Sequence, residues 1–208
     1  MFFLHLDNFI NLLKLPVIIY GDNFVKNTKD VALATLLAVV SFLTHAGIGQ
    51  MPTLITGIPG IGYYFIIIHT ILYSIAALLF QGRRWRLLFM TGLIVVLTLP
   101  LFLGGPPFDI ISRLPIITSA FFFDLFFNSL YELFNRKNLL ALWAISGVTF
   151  QFMCGTLLTV PINLLFYTPE VVQSLFNIIS AFLPVILVES IIGGYLGYQV
   201  YKRIKSVG

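Results

Sequence analysis

Apolar residues run through this chain in long blocks broken by short polar interruptions. Six blocks, at about 30–50, 61–80, 86–104, 113–134, 139–165 and 173–201, come close to or exceed the roughly 20 residues a helix needs to cross the hydrocarbon core of a bilayer. Each is expected to be a spanning helix. The first twenty residues follow another pattern. Phe2, Phe3, Leu6, Phe9, Ile10 and Leu13 recur at helical spacing, with His5, Asp7, Asn8, Asn11 and Lys14 between them. That alternation predicts an amphipathic helix lying in the membrane interface. Asp7 and Lys14 interrupt the apolar stretch that a cleavable signal peptide would carry. The expected fold is thus an all-α integral membrane protein, a six-transmembrane-helix bundle (residues 29–208) preceded by an N-terminal amphipathic interfacial helix and linker (residues 1–28).

Composition agrees with the pattern: of 208 residues 59% are hydrophobic and 10% charged, with a mean hydropathy of +0.99. A soluble domain of this size could not bury that much apolar surface. The net charge of +4 does not point to nucleic acid, because the cations sit in short loops. Lys26 and Lys29, then Arg83, Arg84 and Arg86, then Arg136 and Lys137, then Lys202, Arg203 and Lys205 alternate with loops whose charged residues are Asp109, Arg113 and Glu170. Such an alternation is the positive-inside pattern. It predicts a multi-pass protein of the cell membrane with both termini cytoplasmic. The single cysteine, Cys154, lies in an apolar run and reads as a packing residue.

Small residues Ala34, Ala38 and Ser41 share one face of the first span, because positions three and four apart face the same way. A second helix can approach closely over such a face, so it is a candidate partner-docking surface. The loop that follows, through Gln50, Thr56 and Gly60, is uncharged and rich in Gly and Pro, as are the other outer loops. Such loops shape irregular backbone, which at membrane depth needs a protein or aqueous lining. An external pocket and plain turn formation both account for them.

Three ionisable residues fall near mid-span. His69, Asp124 and Glu189 stand 14, 12 and 13 residues from Arg83, Arg136 and Lys202, roughly 18–21 Å at 1.5 Å per residue. They are expected to form one intramembrane polar layer, either a cation, proton or substrate site or a hydrogen-bonded structural cluster. Nearer the outer face lie the ligand candidates His45, Gln50, Thr56, Tyr63, Asp109, Arg113, Gln151 and Asn163, with Tyr64 and Glu170 beside them. Asp109 and Arg113, four apart, suit either a local ion pair or recognition of a charged ligand. No catalytic constellation stands out: nucleophile-elbow and paired-carboxylate patterns are missing. No His-x-x-x-His or Glu-x-x-His spacing suggests a metal, and Gly57-Ile-Pro-Gly60-Ile-Gly62 lacks the lysine of a phosphate loop. No cofactor is implied.

In layout the chain resembles the substrate-binding S components of energy-coupling factor (ECF) vitamin transporters. The likeness covers residues 29–205: six spans, cytoplasmic ends, Ala34-x-x-x-Ala38 in the first helix, an outer loop after it, and the ending from Glu189-Ser-Ile-Ile-Gly-Gly to Ile204. It implies a non-enzymatic component that captures a small water-soluble micronutrient from outside and docks on a membrane T component served by two ATPases. Ala34 and Ala38 would be the docking pair, and the loop through Gln50, Thr56 and Gly60 the lid. Gly193-x-x-x-Gly197 would serve close packing within the bundle. The N-terminal helix is additional to that family's pattern, and no residue set specifies the vitamin. A second likeness is to the archaeal A subunit of copper membrane monooxygenases, through Thr56-Gly-Ile-Pro-Gly60, Asp109, Phe123-Asp124-Leu125 and Arg136-Lys-Asn138. It implies a structural helical subunit of a membrane enzyme complex.

Overall fold

A computed structural model of the chain describes residues 28–48, 51, 55, 66–101 and 106–207. The expected N-terminal helix, together with Gln50, Thr56, Gly60, Tyr63 and Tyr64, lies outside the described residues. The described residues are helices joined by short turns, with no strand among them. The helices are α1 (Thr28–Gly47), α2 (Ile67–Phe80), α3 (Arg86–Thr98), α4 (Ile111–Arg136), α5 (Leu140–Leu164) and α6 (Pro169–Val207). Each apolar block of the sequence carries one of them. Four, α1, α4, α5 and α6, are long and apolar enough to cross a membrane, whereas α2 and α3 are shorter apolar helices.

α2 and α3 form an antiparallel hairpin closed by a tight basic turn. Gln81 ends α2 in the left-handed conformation, and its N–H returns to Leu78 O. Gly82 follows at φ 74°, where a Cβ would come within 2.5 Å of Tyr131 Cβ. Glycine is therefore required there both for its backbone angle and for space. Within the hairpin, Tyr73 Oη and Thr91 Oγ1 are hydrogen-bonded at 3.1 Å.

α6 packs along both α2 and α5, and three glycines let it approach. A Cβ at Gly193 or Gly197 would run into Thr70 or Ser74 of α2, and one at Gly194 would meet the Ile145 backbone of α5. Ser74 Oγ donates to the carbonyl of Gly194 at 3.0 Å. The expectation that Gly193-x-x-x-Gly197 serves close internal packing is met. α4 contains one π-helical turn, Phe123–Phe127, whose last carbonyl accepts a hydrogen bond from Trp143 Nε1 of α5 at 2.8 Å. Around it Phe123, Tyr131 and Trp143 meet edge to face.

The small-residue face of α1 requires a correction. Ala34, Ala38 and Ser41 are each 0% exposed, because α1 packs mainly on α3 and also on α2. The close approach that small side chains permit is taken up by the chain's own helices, so this face is not free for an external partner. What α1 turns outward is the large-residue side, Leu36, Val39, Val40 and Leu43.

Candidate functional site

Buried polar chemistry concentrates at the ends of the α2–α3 hairpin. At 14 and 13 residues these helices are about 20 Å long, well under the ~30 Å hydrocarbon thickness. A helix end leaves four N–H or four C=O groups without an internal partner, and in a membrane interior each needs one from the protein. Neither helix has a side-chain cap of its own at its N-terminus. Ionisable residues from elsewhere in the fold supply caps at every end.

At the start of α2, the Ile66 N–H donates to Glu189 Oε2 of α6 at 2.6 Å. At its finish, Arg83 donates through Nε to Phe80 O at 2.9 Å and through Nη2 to Leu79 O at 3.3 Å. At the start of α3, the Leu88 N–H donates to Asp124 Oδ2 of α4 at 2.7 Å, and Asn128 Nδ2 holds the other carboxyl oxygen. Beyond its finish, Arg113 Nη2 donates to Thr98 O at 3.3 Å and to Leu101 O at 3.1 Å. Carboxyl groups thus stand at both N-termini and guanidinium groups at both C-termini, the arrangement the helix macrodipole favours.

This geometry divides the expected polar layer. In an antiparallel hairpin the two N-termini lie at opposite ends, so Asp124 at the start of α3 is apart from Glu189 and His69 at the start of α2. Counting residues from the basic loops put them at one depth, but the helices do not leave those loops at one height. His69 has a different neighbour: its Nε2 lies 3.2 Å from Nδ1 of His45 in the last turn of α1. The rings stand edge to face at 75°, and His69 also bonds the Ser41 backbone.

Of the outer ligand candidates that are described, three hold backbone together. Arg113 is buried, and besides the α3 carbonyls its Nη1 donates to Pro106 O and Asp109 O. Asp109 accepts from the Ile111 N–H at 3.0 Å, which starts α4, and from Tyr167 Oη at 2.5 Å, which ties in the α5–α6 connection. Burial pushes the Asp109 carboxyl up, but the hydrogen bonds from Tyr167 and Ile111 outweigh it and hold it below its ordinary value. The Tyr167 hydroxyl is pushed up to about 12 by burial and then by its bond to Asp109. Asn163 Nδ2 donates to Thr159 O at 2.6 Å, within its own helix. The exposed Glu170 sits in the first turn of α6.

Gln151 is the exception. It lies midway along α5, is fully buried, and among the described residues neither its Oε1 nor its Nε2 has a hydrogen-bond partner. Gly147 and Gly155, one turn to either side on the same face, lie against Phe123 and Ser119 of α4. Its amide therefore belongs to the α4–α5 seam, apart from the His45–His69 pair between α1 and α2.

Sequence reading missed one constellation. Asp30, buried in the first turn of α1, has Arg83 Nη1 2.7 Å from Oδ1 and accepts from Arg86 Nε at 3.0 Å on Oδ2. Arg86 is itself only 1% exposed. As loop cations, Arg83 and Arg86 had marked topology alone. The available signal was that Asp30 continues the face of Ala34, Ala38 and Ser41 at four-residue spacing. No family model, no curated protein and no solved structure matches the chain.

Proposed function

We propose that the chain is a six-span membrane protein with both ends cytoplasmic, acting as the substrate-binding S component of an ECF-type importer. It would capture a small polar solute from outside and work with a T component and an ATPase pair. The observation that carries this reading is Gln151. A buried amide with neither atom bonded costs on the order of 1–3 kcal/mol per stranded group, and a small solute offering one donor and one acceptor would satisfy both. The basic α2–α3 and α4–α5 turns and the basic end of α6 support the topology. Ala34 and Ala38, being buried, take no part in the coupling.

Mass spectrometry of molecules retained by the protein purified from cells tests the proposal. The expected result is a copurified polar solute that Gln151→Leu loses while its thermal midpoint holds. Wild-type protein that retains nothing in any growth medium overturns it.

A second reading, a structural helical subunit of a membrane enzyme complex, is favoured by the roles of Asp109 and Asp124. These residues carry the likeness to the copper membrane monooxygenase A subunit, and both hold helix ends, the work of a scaffold. A stable heteromeric assembly with no retained solute would decide for it.

A further inference from the structure

α6 is 39 residues long, about 58 Å at 1.5 Å per residue, nearly twice the hydrocarbon thickness. Its outward side remains apolar through Ile191, Ile192, Leu196 and Val200, and then Lys202, Arg203 and Lys205 follow. That change marks where the helix leaves the apolar layer. At this level a groove of about 280 Å³ opens between α6 and the start of α5, lined by Leu140, Tyr198, Tyr201, Lys202, Lys205 and Ser206. Tyr198, Tyr201, Lys202 and Lys205 are spaced three, one and three apart, so they form one helical face. Among the described residues neither lysine is hydrogen-bonded or ion-paired, although Arg83 and Arg86 of the same basic end share Asp30.

We infer that this groove binds the phosphate of an anionic lipid headgroup on the basic side of the membrane. Two ammonium groups beside an apolar and aromatic wall match a phosphate carried on an acyl-bearing glycerol: lysine is a point-charge phosphate binder, and its methylene stem packs along apolar surface while the head stays in water. Tyrosine at headgroup level is amphipathic in the same sense. The inference requires only that α6 crosses the membrane and is independent of whether the chain captures a solute. A free phosphate-bearing solute shares the charge chemistry but has no use for the Leu140 and Tyr198 wall.

The test is native mass spectrometry of the full chain released from nanodiscs of mixed phosphatidylglycerol and phosphatidylcholine. Wild type should retain phosphatidylglycerol on the order of tenfold over phosphatidylcholine. The double variant Lys202→Gln/Lys205→Gln should retain the two equally, and the control Lys137→Gln/Arg203→Gln, which removes the same charge outside the groove, should behave as wild type. Equal retention by wild type overturns the inference. So does an equal loss in the control, which would mean diffuse surface charge, and so does displacement of the lipid by excess inorganic phosphate, which would mean a soluble-anion site. A photoreactive phosphatidylglycerol gives a readout that needs no variant. Adducts confined to the peptide carrying Tyr198 to Lys205 support the groove, and adducts centred on Arg84 or Lys137 overturn it.

Discussion

At the turn end of the α2–α3 hairpin Asp30 lies between Arg83 and Arg86, so that charge meets charge; at the open end Glu189 and Arg113 reach backbone N–H and C=O groups. The two ends differ in what a lost side chain leaves behind. Removing one member of a buried ion pair strands a charge, which costs more than the pair contributed. Removing a cap strands neutral groups that a shifted neighbour can partly satisfy. The hairpin therefore has a stiff end and a more forgiving one. This contrast depends on helix length: α5, at 25 residues, starts after Leu139 with no side-chain cap, because a helix long enough to cross the bilayer can end among water and headgroups.

The largest expected effect is at the turn end. Asp30→Ala takes the carboxylate from two guanidinium groups, one of them fully buried, and should destabilise the protein by about 3–5 kcal/mol. Reversible unfolding in mixed micelles measures it, and a loss no greater than that from an exposed position would erase the contrast between the ends. Substitutions at the exposed Glu132–Arg136 pair supply that reference, at under about 0.5 kcal/mol.

Asp124→Ala comes next. It frees the Leu88 N–H and one of the two bonds of the Asn128 amide, which keeps its donation to Arg83 O, an expected loss of about 2–4 kcal/mol at 1–3 per stranded group with partial relaxation. Glu189→Ala removes the cap at the open end and should cost about 1–2 kcal/mol, the range of an N-cap. Asparagine at 124 and glutamine at 189 keep an acceptor in place and should recover most of each loss. If glutamine at 189 were as harmful as alanine, the role of that group would be charge and not capping, and the reading of the open end would fail.

Much of this architecture is written along the chain. The apolar blocks mark the helices to within several residues, and the basic turns bring out the hairpin, because both signals are local. Block 173–201 nevertheless understates α6, which runs from Pro169 to Val207, since a helix does not end where its apolar residues do. The two carboxylate caps are not legible along the chain, because they join residues 36 and 123 positions apart and a lone carboxylate in a span looks alike whether it faces a cavity or a helix end. The spacing of Ala34 and Ala38 marks a close-packing surface, but a sequence pattern does not say which helix fills it, and α3 and α2 do so here. The same holds for Asp109 and Arg113. Their four-residue spacing suits an ion pair or a ligand, and it does not reveal that each organises backbone on either side of the loop.

The smallest effect belongs to the Tyr167–Asp109 bond, which joins the α5–α6 connection to the start of α4. Asp109, held below its ordinary value, contributes stability that is present above the unfolded carboxyl value of about 3.9 and is lost as pH falls toward its lower folded value. Tyr167 works in the opposite sense. With its hydroxyl raised to about 12, it contributes stability that is complete below the unfolded value of about 10 and is lost as pH rises through the folded one. Tyr167→Phe removes the shared bond, so it should flatten the thermal midpoint's dependence on pH on both the acid and the alkaline side while lowering the midpoint at neutral pH only slightly. Because Asp109 is only half-buried, solvent screening should keep the change under about 1 kcal/mol. A variant whose midpoint followed pH as steeply as wild type on both sides would show that the bond does not couple the two groups, and the connection before α4 would then be held by Arg113 and its carbonyls without help from Tyr167.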